Sequence, residues 1–548
     1  MAFMLYAAGR MLDGAKLYRD VMDVNPPMIF ALNLPVAWLA RAAGLSDIVL
    51  ARLSTALFLG CLLLFVRRLL GRYLLANRAQ ARRYVLLVLC FILFPLSRED
   101  FGQREHLVLA FLLPGLVVAI ARSQREQVEL RDAGASGVLS GLALALKPQF
   151  ALAWLAVEGW RRIRDRPSRW QMTPELVGVL GTVTAYGLAV IALTPDYIRL
   201  AERLGPAYTT YLRIPLLNLL LFSPGAALTA FALLAAAASR KEPDRSPREA
   251  VALATIGCFL AGVAQQKGLR YQFYPSFALA ALLVGLVAAQ TGLPSGPGGR
   301  LYLRLSRWLV VAICAVVLGR SALDATGGSP ADRRRRAEFL DLVETVRAHA
   351  GPQSVGMLSY YMGSAFPLIT YAGVGLASRF PCLWILPASY WPELWRAPQI
   401  RYRAPAEMDL PERLLNAAVA EDLIRARPRL LLVLRAFPDD RRYGLRRLNY
   451  IAYFSRQAEL ARLFAGYQLI ATKGQYDVYE RVGPGVAPTG PAPSPVVAPL
   501  DARPPSASER ATSPPVDPEF MAGSAVFLLV GLTTLLREQR GRRTSGPP

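Results

Sequence analysis

Ten or so apolar stretches recur along this chain, and the polar connections between them alternate between two kinds. One kind is rich in arginine; the other carries carboxylates, a lysine and tyrosines. A soluble fold gives no reason for such an alternation. A bilayer does, because each crossing reverses the side and short arginine-rich loops stay cytoplasmic. Composition agrees: 548 residues, 53% hydrophobic and 19% charged, with a mean hydropathy of +0.30, point to a multi-span membrane protein with an attached polar domain. The net charge of +24 sits largely in short loops between spans, so membrane orientation accounts for it and nucleic acid is not the expected partner. Cys61, Cys90, Cys258 and Cys314 fall in apolar spans and leave Cys382 alone in the polar region. That leaves no framework for intrachain disulfides and no cysteine-based zinc site.

A spanning helix needs roughly 20 mostly apolar residues. The pattern predicts spans near 49–66, 84–97, 106–121, 175–194, 214–238, 249–265, 274–291, 307–322 and 520–536. Arg67, Arg68, Arg72, Arg78, Arg82 and Arg83 place one connection in the cytoplasm, which puts 98–105 outside. The stretch 136–160 has arginines on both flanks. It therefore reads as a hairpin of two short helices turning at Lys147-Pro148, since proline breaks a helix and lysine avoids hydrocarbon. With that hairpin the expected architecture is an α-helical polytopic bundle of about 10–11 spans. Loops 195–213 and 266–273 and the long segment 323–519 then lie outside.

The expected domains are an outer segment 1–47 with Pro27 to Gly44 as an interfacial helix, a bundle 48–322, and an outer α/β domain 323–482. A linker 483–519 follows, then a last span 520–537 and a cytoplasmic tail 538–548. Within the α/β domain, Glu338 to Ala350 reads as helical and Tyr450 to Phe464 as an amphipathic stretch. Ser354 to Leu358, Leu430 to Leu434 and Tyr476 to Tyr479 read as strands. Eleven prolines between Pro484 and Pro518 make the linker extended or disordered.

Three outward connections hold nearly all the reactive groups: Tyr18 to Pro27, with Asp20 and Asp23; Ser97 to His106, with Glu99, Asp100, Arg104 and Glu105; and Gln265 to Pro275, with Lys267, Arg270, Tyr271 and Tyr274. Carboxylates at a membrane face can act as general bases or hold a divalent cation, and a lysine with an arginine can stabilise a departing phosphate. These are the parts needed to move a sugar from a lipid phosphate to a hydroxyl. Each has a plainer reading. Arg98 to Arg104 is also a solvated loop with local ion pairs, and His106 at a span entrance is also a hydrogen-bonded structural group. Lys147 is costly in an apolar hairpin unless it snorkels, so a functional role is favoured. His349 and the run Arg333 to Arg336 read as surface features of the outer domain.

The order Tyr6, Gly14, Tyr18-Arg19-Asp20, Asn25-Pro26-Pro27, an acidic loop before a span, Lys147 in a short hairpin, then Lys267-Gly268 with Tyr271 and Tyr274-Pro275 resembles polyprenyl-phosphate-sugar-dependent glycosyltransferases of the GT-C fold. Protein O-mannosyltransferases and lipid A aminoarabinose transferases are members. The resemblance covers residues 1 to 322, and an outer C-terminal domain is usual in the family. It implies an inverting transfer in which a carboxylate of the first outer loop takes the acceptor proton. In relatives that acid belongs to a pair just before the position of Tyr6. Here the sequence starts at Met1-Ala2-Phe3, so the pair and the first span are expected upstream of a truncated or misassigned start. The alternative is a protein that has lost its base.

Asn25 stands where some relatives have lysine. By the same implication Glu99, Asp100 and Glu105 are candidates for the second acidic element, with Asp20 and Asp23 as fallback acids. Lys147, Lys267 and Arg270 are phosphate contacts, and Arg104, His106, Tyr271 and Tyr274 complete the substrate-binding set.

The expected function is therefore an integral glycosyltransferase of the inner (plasma) membrane. It would use a polyprenyl-phosphate-linked sugar and a glycan, lipid or protein acceptor among membrane lipids. Without a His or Cys cluster, a carboxylate-held Mg²⁺ or Mn²⁺ is the metal left open. A transporter or flippase would instead line a pathway with mid-span ionisable groups and show internal repeats. A non-catalytic scaffold fits a genuine start at Met1.

Overall fold

The computed structural model describes residues 1–165, 172–238, 245–289, 297–325, 327–350, 354–396, 400–435 and 448–482. Along the chain these form α1 (Ala2–Leu12), α2 (Met28–Ala43), α3 (Asp47–Leu69), α4 (Ala79–Leu93), α5 (Arg104–Ser123), α6 (Leu130–Leu146), α7 (Ala151–Asp165) and α8 (Pro174–Leu193). Next come α9 (Pro195–Thr210), α10 (Leu216–Phe222), α11 (Ala226–Ala238), α12 (Ser246–Ala264), α13 (Tyr274–Ala288), α14 (Pro297–Ala325) and α15 (Pro330–Ala350). Two compact units result. One gathers 1–48, 190–213 and the described residues from 327 to 482; the other gathers 49–189 and 214–326.

The second unit is the bundle. In it α5 packs on α6 and α7, α12 on α7 and α13, and α13 on α4, α11 and α14. Burial grades outward: the α13 segment is 78% buried and α5 72%, whereas α8 is 11% buried. Leu180, Leu188 and Ile191 of α8 and Leu53, Leu57 and Leu64 of α3 are exposed, an outer surface suited to lipid rather than water. Close helix approach depends on glycine. A Cβ at Gly137 of α6 would sit 2.2 Å from the Glu175 carbonyl oxygen of α8, so these backbones meet as small-residue membrane interfaces do.

Six described helices are long and apolar enough to cross a membrane, and a seventh span is formed if the pair α10 and α11, bent by 63°, counts as one. The chain is thus a multi-pass helical membrane protein. The expected ten or eleven spans need correction: α4, α6 and α7 run only 15, 17 and 15 residues. The expected span 214–238 breaks at Ser223-Pro224-Gly225, where Gly225 has φ +83°. The predicted hairpin is present, α6 leading through a short 3-10 turn Pro148–Phe150 into α7. The linker 483–519 and the last span and tail, 520–548, lie outside the described residues.

The first unit is α/β. Its four-stranded sheet has the order β1 (Val355–Leu358), β2 (Leu430–Leu434), β4 (Tyr476–Arg481), β3 (Tyr467–Lys473). β1 and β2 run parallel, while β4 is antiparallel to both of its neighbours. All four β1 residues and four of the five in β2 are buried, with α15 packed against β2 and β3. The strand β3, continuing the hairpin with β4, was not expected, and Tyr450 to Phe464 divides into two short helices. Residues 1–48 belong to this unit: Tyr6 Oη accepts a hydrogen bond from the Leu376 N–H at 3.1 Å, and the Met22 N–H donates to the Arg379 carbonyl at 2.8 Å. The connection 195–213, expected as a loop, is mainly the amphipathic helix α9, and Pro27 to Gly44 is helical as expected.

Candidate functional site

Helix polarity in the bundle collects one set of ends. The start of α5, the end of α6, the end of α12 and the start of α13 are joined by, or adjoin, the polar segments 98–106, 147–150 and 265–274. Lys147 follows the last residue of α6, where Pro148 stops the helix, and Glu105 is the second residue of α5. Both are buried, at 6% and 1% exposure. Lys147 Nζ lies 2.5 Å from Glu105 Oε1, a tight contact between opposite charges. Lys147 Nζ also donates to Gln265 Oε1 at 3.0 Å and sits 5.8 Å from the centre of the Tyr271 ring.

Beside this pair lies a second, looser one, Arg270 with Glu99 at 3.9 Å, both exposed. Asp100 ends a 3-10 turn Arg98–Asp100 and is buried. Burial pushes its carboxyl up to about 6; the Arg270 charge pulls it down, and Glu105 and Glu99 push it further up. The turn begins on a strained residue, Arg98 at φ +34°, whose guanidinium donates to Asp324 at 2.7 Å.

Of the candidate residues, then, the structure brings together Glu99, Asp100, Glu105, Lys147, Arg270 and Tyr271. Lys267 is buried in the same connection, next to Gly268 at φ +64°, whose missing side chain leaves room for Ile214. Arg104 stands at the head of α5, half-buried. His106 and Tyr274 are committed to the scaffold. The His106 Nδ1 accepts from the Gly102 N–H and its Nε2 meets the Leu93 carbonyl, each at 2.9 Å. The Tyr274 hydroxyl donates to the Ile92 carbonyl, and the two rings are edge to face at 5.5 Å. These bonds leave His106 no ring nitrogen for a ligand.

Asp20 and Asp23 belong to the other unit. Asp20 accepts from the Lys16 N–H at 2.8 Å and Asp23 from the Asn25 N–H at 2.7 Å, both closing turns. Gln265 was not foreseen: a neutral amide at the end of an apolar helix carries no charge signal, and only its position next to the loop marks it. Among the described residues no three His, Cys, Asp or Glu side chains gather as metal ligands.

Fold and cluster together define a polytopic helical membrane protein with ionisable side chains held at one end of its bundle. No protein-family model matches the chain, and no curated protein matches it. Among solved structures it is similar to the crystal structure of ArnT from Cupriavidus metallidurans in the apo state. That likeness has 13% sequence identity and a TM-score of 0.48, and it covers 84% of this chain and 89% of that one. A likeness of this size says nothing about chemistry, which has to be read from the side chains.

Proposed function

We propose that the chain is a membrane glycosyltransferase that moves a sugar from a polyprenyl-phosphate donor to an acceptor hydroxyl with inversion. The observation that carries this reading is the buried Lys147–Glu105 contact beside Asp100 and Arg270. A buried ammonium in an apolar bundle is costly even with a carboxylate and an amide beside it, and such a cation suits a ligand of opposite charge. In the proposed step the Asp100 carboxylate takes the proton of the acceptor hydroxyl, and the oxygen attacks the anomeric carbon. The bond from that carbon to the phosphate oxygen breaks, and its electron pair leaves with the polyprenyl phosphate. Lys147 and Arg270 face the charge that grows on the phosphate, where a fixed cation is worth more than in water. Glu105 and Gln265 hold the ammonium in place. Lys267 is a third candidate for the phosphate, and no step is routed through a metal.

The proposal extends to the cell: a multi-pass protein of the inner (plasma) membrane with its α/β region on the outer side. The test is sugar release from a radiolabelled polyprenyl-phosphate donor by purified full-length protein in lipid. Lys147→Ala and Lys267→Ala are expected to abolish release. Full activity in both variants would refute the phosphate assignment. Donor movement between leaflets without release would favour a flippase.

A further inference from the structure

The unit that contains residues 1–48 holds a polar cleft of about 330 Å³, within the range typical of small-ligand sites. Its walls are α1, the turn 13–21, residues 376–381 and the helix Leu410–Ala426. Three arginines and three aspartates line it, but most are already satisfied by one another. Asp422, fully buried, accepts from the Arg379 backbone N–H and guanidinium and from Arg425, while Glu421 takes a further Arg379 bond. Asp13 is held by both terminal nitrogens of Arg41, at 2.7 and 3.0 Å.

Among the described residues, what remains is Arg10, whose buried Nε has no hydrogen-bond partner; Asp20, with one carboxylate oxygen on the Lys16 N–H and no hydrogen bond to the other; and Tyr6, whose oxygen accepts from the Leu376 N–H and whose proton is left to donate. Phe3 adds an apolar wall.

We propose that this cleft binds a neutral, hydroxyl-rich ligand, a sugar ring, with Asp20 accepting from ring hydroxyls and Arg10 and Tyr6 donating to ring or hydroxyl oxygens. The lining charges cancel, and Arg379 and Arg425 are occupied, so a simple anion gains little here. A greasy ligand would strand the polar wall. A carboxylate opposite a guanidinium matches the mixed donor and acceptor character of a sugar, and the apolar edge of Phe3 and Tyr6 suits a ring face. That the sugar is the acceptor of transfer rests on the function proposed above; the cleft and its ligand class do not.

Saturation-transfer NMR on full-length protein in lipid nanodiscs tests the cleft, with a mixture of neutral methyl hexosides as one probe and inorganic phosphate as the other. Asp20→Asn keeps an oxygen for the Lys16 N–H and removes the charge at an exposed position, so folding is not at stake. At least one hexoside is expected to give signal, reduced at least fivefold by Asp20→Asn and by Arg10→Gln but unchanged by Lys147→Ala. Equal signals in wild type and Asp20→Asn, no hexoside signal at all, or displacement of the sugar by phosphate would each overturn it. If sugar release is absent from wild type while the hexoside signal still depends on Asp20, the transferase reading falls and the cleft stands.

Discussion

The same helices end in two very different ways. At one end, Arg161, buried at 4% exposure, binds Glu158 with Nε and Nη2 and Asp165 with Nη1, and Arg162 adds a further bond to Glu158. Nearby chain ends repeat the pattern: Glu249 receives Trp160 and Arg164, and buried Asp132 receives the Tyr73 hydroxyl at 2.8 Å and Arg68 at 3.1 Å. At the other end Lys147 has one carboxylate and one amide, and Asp100 is buried with a raised pKa. Charges with several partners each are what a fold needs to tolerate ionised groups near hydrocarbon. Charges kept sparsely partnered in the same protein mark where an outside group is expected to complete the set.

The largest expected effect would break this contrast if it failed. Lys147→Ala should lower sugar release by ~10²–10³-fold or more, as loss of a preorganised charge does. Asp132→Ala removes the buried member of its network and leaves Arg68 and Arg72 in solvent, so the bundle should lose about 1–3 kcal/mol through the orphaned Tyr73 hydroxyl, with release per folded molecule nearly unchanged. Thermal melts and release assays on both variants decide it; equal losses of activity would erase the distinction. Next, Lys147→Met combined with Glu105→Gln should recover the melting temperature that Lys147→Ala loses, since neither buried charge is then left alone, while activity stays absent.

Asp100 sharpens the comparison through pH. With its carboxyl raised to about 6, the base form fills above that value, so release should fall as pH drops below 6, and the limb should vanish in Asp100→Asn. Stability runs the other way. A raised pKa favours the fold at low pH, and that contribution is lost as pH rises from about 4 through 6. Asp100→Asn should therefore raise the melting temperature at pH 7.5 and not at pH 4. The smallest effect is Arg270→Ala. Its contact with Glu99 is exposed, so stability should change by less than about 1 kcal/mol. Loss of the cation should nevertheless move the acid limb to higher pH, because Arg270 pulls the Asp100 carboxyl down.

The polar end of the bundle was legible in the sequence because membrane parity is strict. Lysine and proline inside an apolar stretch predict the hairpin turn at Lys147-Pro148, and counting sides puts 98–105, that turn and 266–273 on one side; Glu105, Lys147 and Tyr271 are found in contact. Parity says which side a loop is on and nothing of which body it joins. Asp20 and Asp23 were accordingly grouped with those loops although they fold with residues 327 onward. The same limit hid α9, whose amphipathic pattern was passed over in a connection read as a loop. Gln265 escaped because hydrogen-bonding capacity without charge leaves no trace in composition. The strand β3 is half polar and follows a helix directly, so period alone did not separate it.

The pairing of Tyr6 with Leu376 has a consequence in time. A ribosome adding roughly 5–20 residues per second needs about 20–70 s to travel from one to the other. Throughout that interval α1 and the turn after it exist without the strands and loops they will finally pack on, while the bundle helices between them are being inserted. The opening segment is thus made early and finished late, and conditions that slow synthesis of the distal region should lengthen the period in which it is open to proteases.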